Sequence, residues 1–99
     1  MRRLNLTTTD AAEAATLFAA AKEALRSEGL TIEKAEQSEQ TGLTGIEIVI
    51  SIVISLATSV AANVLQEKEL TARIDKAVAK LRGVYKKSFG HKQANDDAP

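Results

Sequence analysis

Residues 48–66 read IVISIVISLATSVAANVLQ and carry no charge, although 26% of the whole chain is charged. Polar side chains recur along this stretch at every fourth position, and such positions lie on one side of an α-helix. They are Glu47, Ser51, Ser55, Ser59 and Asn63. All other positions are aliphatic or small, apart from Thr58 and Gln66. The pattern predicts an apolar helix over 44–66 that must be covered nearly all round, by its own domain, by another protein or by lipid.

The start of this helix has a capping pattern. Thr44 is the predicted N-cap and Glu47 the third helical residue, which is the capping-box arrangement. A strand over 46–56 is the alternative, because β-branched residues dominate there and isoleucines alternate. The capping pattern and the helical character of the residues that follow favour the helix. One continuous helix from 45 to 82 is a further alternative, since no Gly or Pro marks a break between Leu65 and Leu70.

A strand–helix–strand unit is predicted over residues 1–36. Leu4 and Leu6 alternate with polar neighbours, and Asp10 caps an Ala-rich helix in a second capping-box pattern with Glu13. Gly29 ends that helix, and a second strand follows. Two strands joined by one helix are expected to pair side by side in parallel. The polar residues after this strand, 36–42, are interpreted as a loop.

The C-terminal part is predicted to be an amphipathic helix over 67–89, followed by a disordered tail over 90–99. Apolar residues recur in the helix at intervals of three and four, at Leu70, Ile74, Val78, Leu81 and Tyr85. The tail is polar and contains no apolar run. The expected fold is therefore one α+β domain over 1–89, mostly helical, with a long apolar helix and an amphipathic C-terminal helix.

Charge is distributed unevenly along a chain whose net charge is zero. Residues 66–92 hold eight basic and three acidic side chains, a balance of +5. The basic face, Lys76, Lys80, Lys86 and Lys87, could meet anionic lipid or nucleic acid. The alternative is a solvated face that also pairs with the acidic N-terminal half, within or between chains. Overall neutrality favours the second interpretation and argues against dedicated nucleic-acid binding.

Residue types that usually carry chemistry are scarce. The chain has no cysteine, which excludes disulfides and thiol catalysis. No phosphate loop, metal-ligand spacing or nucleophile–base pair is present. Glu33, Glu36 and Glu39 recur every third residue and are interpreted as a solvated acidic surface. We expect no enzyme activity, no catalytic or metal site and no cofactor. The start, MRRLNLTTTD, lacks the apolar run of a secretory signal, so a cytoplasmic protein is expected.

The predicted function is protein interaction, with the helix over 44–66 as the contact surface of a homo-oligomer or of a complex with a partner protein. Small residues on one side allow close helix packing, and larger neighbours complete the surface. The candidates are Ser51, Ser55, Ser59, Ala62, Ile48, Ile52 and Leu56. The alternative is a membrane-associated effector whose helix inserts and oligomerises, because ~20 apolar residues span a bilayer.

The order of elements in residues 2–66 resembles that of small bacterial effector-associated components. The similarity rests chiefly on Gly42-Leu43-Thr44-Gly45-Ile46-Glu47, which leads into the run of Ile, Val, Ala and Ser. The resemblance implies a non-catalytic accessory of a bacterial conflict or defence system, encoded beside an effector. It transfers no site residues.

Overall fold

The computed structural model describes residues 1–42, 45–56 and 64–95. The expected α+β class is confirmed, because the strands form one layer and the helices form a second layer. The elements, in chain order, are β1 (Arg2–Thr8), a 3₁₀ turn (Ala11–Glu13), α1 (Ala14–Ser27), β2 (Leu30–Gly42), β3 (Gly45–Leu56), α2 (Val64–Val84) and β4 (Gly90–Asn95).

Four strands form a single antiparallel sheet in the order β2-β3-β1-β4. β1 and β2 run in the same direction, but β3 lies between them and pairs with both. The predicted side-by-side pairing of β1 and β2 is therefore wrong. This β-α-β-β-α-β order with split β-α-β units is the ferredoxin-like arrangement.

The predicted mostly helical fold and its apolar helix over 44–66 are wrong, because Gly45–Leu56 is the central strand β3. β3 pairs with β2 on one side and β1 on the other, so its backbone polar groups find partners in two ladders. β-branched residues suit a central strand, and the alternate isoleucines of β3 face the helices. A single helix from 45 to 82 is excluded by the same strand. Residues 57–63 lie outside the described residues.

The hydrophobic core lies between one face of the sheet and the two helices. β3 contributes alternate isoleucines, of which Ile52 and Ile54 are fully buried. α1 buries Leu17 and Leu25, and α2 buries Ile74. The alternation assigns each strand residue to the core face or to the opposite face. The opposite face, called the open face below, carries no helix of the described part of the chain.

The caps of α1 agree in part with the sequence. Asp10 is confirmed as a cap, but of the 3₁₀ turn that precedes α1: its Oδ1 accepts the N–H of Ala12 at 3.0 Å. Glu13 does not complete a capping box: the N–H of Asp10 donates to Thr8 Oγ1 at 3.2 Å. The Glu13 carboxylate instead forms an ion pair with Lys87. Beyond the helix, Gly29 adopts φ +73°, the left-handed conformation that glycine tolerates best.

An amphipathic helix does occupy the C-terminal region, but its bounds are Val64–Val84. The disorder predicted for residues 90–99 is wrong over Gly90–Asn95, which forms β4 beside β1. Backbone pairing and side-chain hydrogen bonds hold this polar strand, for example Gln93 Nε2 to Asp75 Oδ1 at 2.5 Å. Residues 96–99 lie outside the described residues.

The helices within residues 1–42, 45–56 and 64–95 were compared with the requirements for a membrane-spanning helix. None of the helices there combines the length and the apolar character that a bilayer span requires.

Candidate functional site

The apolar members of the predicted interface are inside the domain. Ile48 and Ile52 are 2% and 0% exposed, and Leu56 is half-buried against the same core. Their contacts are with the protein's own helices, so they stabilise the fold and are not available to a partner. Ser59 and Ala62 lie outside the described residues.

The described part of the predicted polar ridge, Glu47, Ser51 and Ser55, lies on the open face of the sheet. Ser51 accepts a hydrogen bond from Arg3 Nη1 at 2.8 Å, and Ser55 donates to Glu33 Oε1 at 2.5 Å. A spacing of four places residues on one side of a helix, but it also places them on one face of a strand. Glu47, Ser51 and Ser55 therefore do share one side, although a strand carries them; the other two residues of the predicted ridge, Ser59 and Asn63, lie outside the described residues.

Glu47 is not a helix cap. It lies on β3 opposite Gln40, whose Nε2 donates to Glu47 Oε2 at 3.2 Å. Its carboxylate also lies over Gly42, in the space that a Cβ at residue 42 would fill. Thr44, the other predicted cap residue, lies outside the described residues.

A shallow polar hollow of about 430 Å³ occupies part of the open face. Its lining includes Asn5, Thr7, Glu47 and Lys92. The Oδ1 atom of Asn5 is buried and has no hydrogen-bond partner among the described residues. Gly90 is required beside it, because a Cβ there would lie 2.5 Å from Thr7 Oγ1. These groups offer hydrogen bonds to a small polar solute, but the hollow lacks the apolar enclosure that is typical of ligand sites.

The longer of the two edge strands in the described sheet is β2. β2 has 13 residues and lies at the end of the sheet, with β3 on its other side. Every residue over 33–41 is exposed. Unpaired N–H and C=O groups along such an edge can accept a further strand. This edge is the best candidate for an interaction site in the described structure.

A bulge divides β2 into two parts. The register with β3 shifts between Ile32 and Lys34, so Glu33 is the extra residue. The nine residues over 34–42 then pair regularly with β3 as far as Gly42, opposite Gly45. A regular stretch of this length is suited to strand addition.

Side chains of β2 alternate between the two faces. Opposite the open-face residues of β3 lie Lys34, Glu36, Ser38 and Gln40, whereas Ala35, Gln37, Glu39 and Thr41 share the helix side. Lys34 Nζ lies 2.9 Å from Glu36 Oε1, and this hydrogen bond lowers the pKa of the Glu36 carboxyl. Because Glu36 and Glu39 point to opposite faces, the three glutamates do not form one cluster.

The predicted basic face of α2 pairs in part with the acidic N-terminal half. Lys80 forms an ion pair with Glu28, and its hydrogen bond is the main cause of the lowered pKa of that carboxyl. Lys87 pairs with Glu13, which raises the pKa of the Lys87 ammonium. Lys76 and Lys86 are exposed. Two of the four lysines thus connect α2 and the residues after it to both ends of α1.

The sequence predicts only the first part of β2, up to Glu36, because residues 36–42 are polar and typical of a loop. A weak signal is the pair Gly42 and Gly45, since glycines often mark turns between elements. An exposed edge strand needs no apolar side chains, so hydrophobic periodicity does not reveal it.

The sequence matches no protein-family profile, and no curated protein shows a significant match. The fold is similar to the solution structure of the C-terminal domain of the MgtC protein from Mycobacterium tuberculosis. That pair has a TM-score of 0.53 and 13% identity, over 98% of this chain and 89% of that domain. An unknown protein from Galdieria sulphuraria aligns at TM-score 0.48 and 11% identity, over 99% of this chain and 46% of its own. PelD from Pseudomonas aeruginosa aligns at TM-score 0.35 and 11% identity, over 97% of this chain and 34% of that structure. The first similarity supports the fold alone, and the other two carry no argument.

Proposed function

We propose that this chain is a non-enzymatic protein-interaction module that self-associates through the free edge of β2. The observation that carries the proposal is the exposure of every residue over 33–41 on a strand at the end of the sheet. Strand addition gives such an edge the backbone hydrogen bonds that it lacks in the monomer. The proposal replaces the apolar helix as the contact surface, since those residues form the core strand β3.

Two further features support the edge over other surfaces. The part of the β2–β3 hairpin near Thr41 reaches beyond the helices, because Ile46, its partner on β3, is 62% exposed on the core side. Ile46 lies on β3, one strand inside the edge, so a strand added beside Thr41 would have open space on the helix side of the sheet. The cationic surface of α2 and the residues after it, by contrast, is partly occupied by ion pairs of Lys80 with Glu28 and of Lys87 with Glu13.

The resemblance to effector-associated components extends the proposal to a biological role. We propose that the module is an accessory of a bacterial conflict or defence system. Of the residues that carry the resemblance, Gly42, Gly45, Ile46 and Glu47 lie at the end of the β2–β3 hairpin, so they adjoin the proposed contact surface. Co-expression with the products of neighbouring genes, followed by purification of the complex, tests this role. Separate elution of every such product would contradict it.

Light scattering across a range of concentrations tests self-association directly. The wild-type chain of 10.6 kDa should form a discrete oligomer. Backbone N–H groups alternate along a strand, so of the neighbours Gln37 and Ser38 one N–H points outward and the other toward β3. Of Gln37→Pro and Ser38→Pro, the variant that keeps the wild-type circular dichroism spectrum should be monomeric. A wild-type monomer at all concentrations, or a folded proline variant with unchanged mass, would contradict the proposal.

A further inference from the structure

We propose that two copies pair antiparallel, β2 against β2, with Ser38 of each copy on the two-fold axis. The inference rests on the proposed function and adds the partner and the register. Its product is one eight-stranded sheet with the helices of both copies on the same side.

Symmetry limits the possible registers. In a closed antiparallel dimer the two-fold axis is perpendicular to the sheet, so each residue lies opposite one that belongs to the same face of the other copy. The bulge at Glu33 changes the face alternation, so regular pairing is confined to the nine residues over 34–42. The centre of that stretch is Ser38. Pairing about Ser38 uses all nine residues of both copies.

The side chains complement each other in this register. The sequence over 36–40 is Glu-Gln-Ser-Glu-Gln, and reversing it places a glutamine opposite each glutamate. Glu36 then lies opposite Gln40 of the second copy on the open face, and Glu39 opposite Gln37 on the helix side. Each amide can donate a hydrogen bond to a carboxylate, and such charge-assisted bonds are stronger than neutral ones. Symmetry gives four of these pairs.

Lys34 meets an opposite charge at each end of the shared ladder. About Ser38, Lys34 lies opposite Gly42 of the second copy. Gly42 has no side chain, and the carboxylate of Glu47 from the neighbouring strand occupies the space above it. All three positions belong to the open face. The Lys34 ammonium of one copy therefore approaches the Glu47 carboxylate of the other.

Other registers lack this complementarity. Centring the pair on Glu36 places Glu36 against its own copy and Glu33 against Glu39, and centring it on Glu39 places two Glu39 side chains together. Like charges directly opposite on a sheet are destabilising. Centring on Gln37 pairs Glu36 with Ser38 and Glu39 with Ala35, which leaves no amide opposite a carboxylate. Charged residues on an edge commonly prevent pairing; here they select one register.

Single-cysteine crosslinking tests the register, since the chain has no cysteine of its own. Residues opposite each other in antiparallel strands have Cα atoms about 4.5–5.5 Å apart, within the range of a disulfide. Ser38→Cys should form a covalent dimer rapidly under mild oxidation. Thr31→Cys, an exposed open-face position of the same strand outside the shared ladder, is the matched control and should not.

Charge substitutions at the same two positions provide a readout without oxidation. Ser38→Lys places two ammonium groups beside the axis and should halve the mass seen by light scattering. Its melting temperature should equal that of wild type at dilutions where the wild type is monomeric. Thr31→Lys should keep the wild-type mass. An oligomer that crosslinks equally at both positions, or only through residue 31, would overturn the register and leave self-association standing. A wild-type monomer would overturn both.

Discussion

At the scale of single residues, two isoleucines on the same face of β3 differ in burial. Ile52 is fully buried between sheet and helices, whereas Ile46 is 62% exposed near the end of the hairpin. We expect Ile52→Ala to reduce the free energy of unfolding by about 2–5 kcal/mol, through lost burial and a cavity. Ile46→Ala should change it by less than about 0.5 kcal/mol. Urea denaturation of both variants checks this, and equal losses would contradict the burial described.

Substitution of two glycines by alanine should change stability in opposite directions. Gly29 has φ +73°, and a Cβ there would lie 2.7 Å from Arg73 Nη1. Gly29→Ala should therefore destabilise the protein by roughly 1 kcal/mol or more. A Cβ at Gly83, in α2, meets no atom within 4 Å. Gly83→Ala should stabilise by up to about 1 kcal/mol, since alanine has the higher helix propensity. Thermal melting of both variants gives the signs, and a shared sign would contradict the backbone assignment.

At the scale of elements, the sequence was informative where one pattern fitted one structure. Asp10 and Gly29 mark the ends of the first helical region, and the stripe from Leu70 to Leu81 identifies α2, because those signals have few alternatives. The stretch over 46–56 was ambiguous: a four-residue polar spacing fits a helix and a strand equally. This stretch forms a strand because it pairs with β1 on one side and β2 on the other. Local periodicity contains no information about such pairing. The polar second half of β2 and the polar strand β4 show no hydrophobic periodicity, because backbone pairing holds them, so the side-chain pattern did not reveal the candidate site.

The contact between the end of α1 and α2 should make stability depend on acid pH. Lys80 lowers the pKa of the Glu28 carboxyl below its ordinary value of 4.5. A group whose pKa is lower in the folded state stabilises it above the unfolded-state pKa. That contribution is lost as the pH falls through the folded-state pKa. Melting temperatures from pH 7 to 3 should therefore fall less steeply for Glu28→Gln than for wild type. Glu23→Gln, an exposed glutamate of the same helix, is the control; parallel profiles for wild type and Glu28→Gln would contradict the expectation.

At the scale of the whole molecule, the last strand completes the sheet around β1. A chain that ends at Phe89 keeps that buried ring against Tyr85 but loses β4 and its six pairs with β1. With each pair worth about 0.2–1 kcal/mol, and each kcal/mol worth roughly 4–8 °C, we expect a clearly lower melting temperature. A chain that ends at Asn95 keeps all six pairs and is the control. Equal melting of the two chains would contradict a structural role for β4.

The position of β1 also determines when the protein can finish folding on the ribosome. β1 is synthesised before its ladder partners, and the Arg2–Asn95 hydrogen bond joins residues 93 apart in sequence. At about 5–20 residues per second, translation reaches that partner roughly 5–20 s after Arg2. During this interval one edge of β1 stays open on the nascent chain, while the β2–β3 hairpin has already been made. Slow codons or a chaperone acting late in translation would therefore affect the yield of native protein more than the same factors acting early.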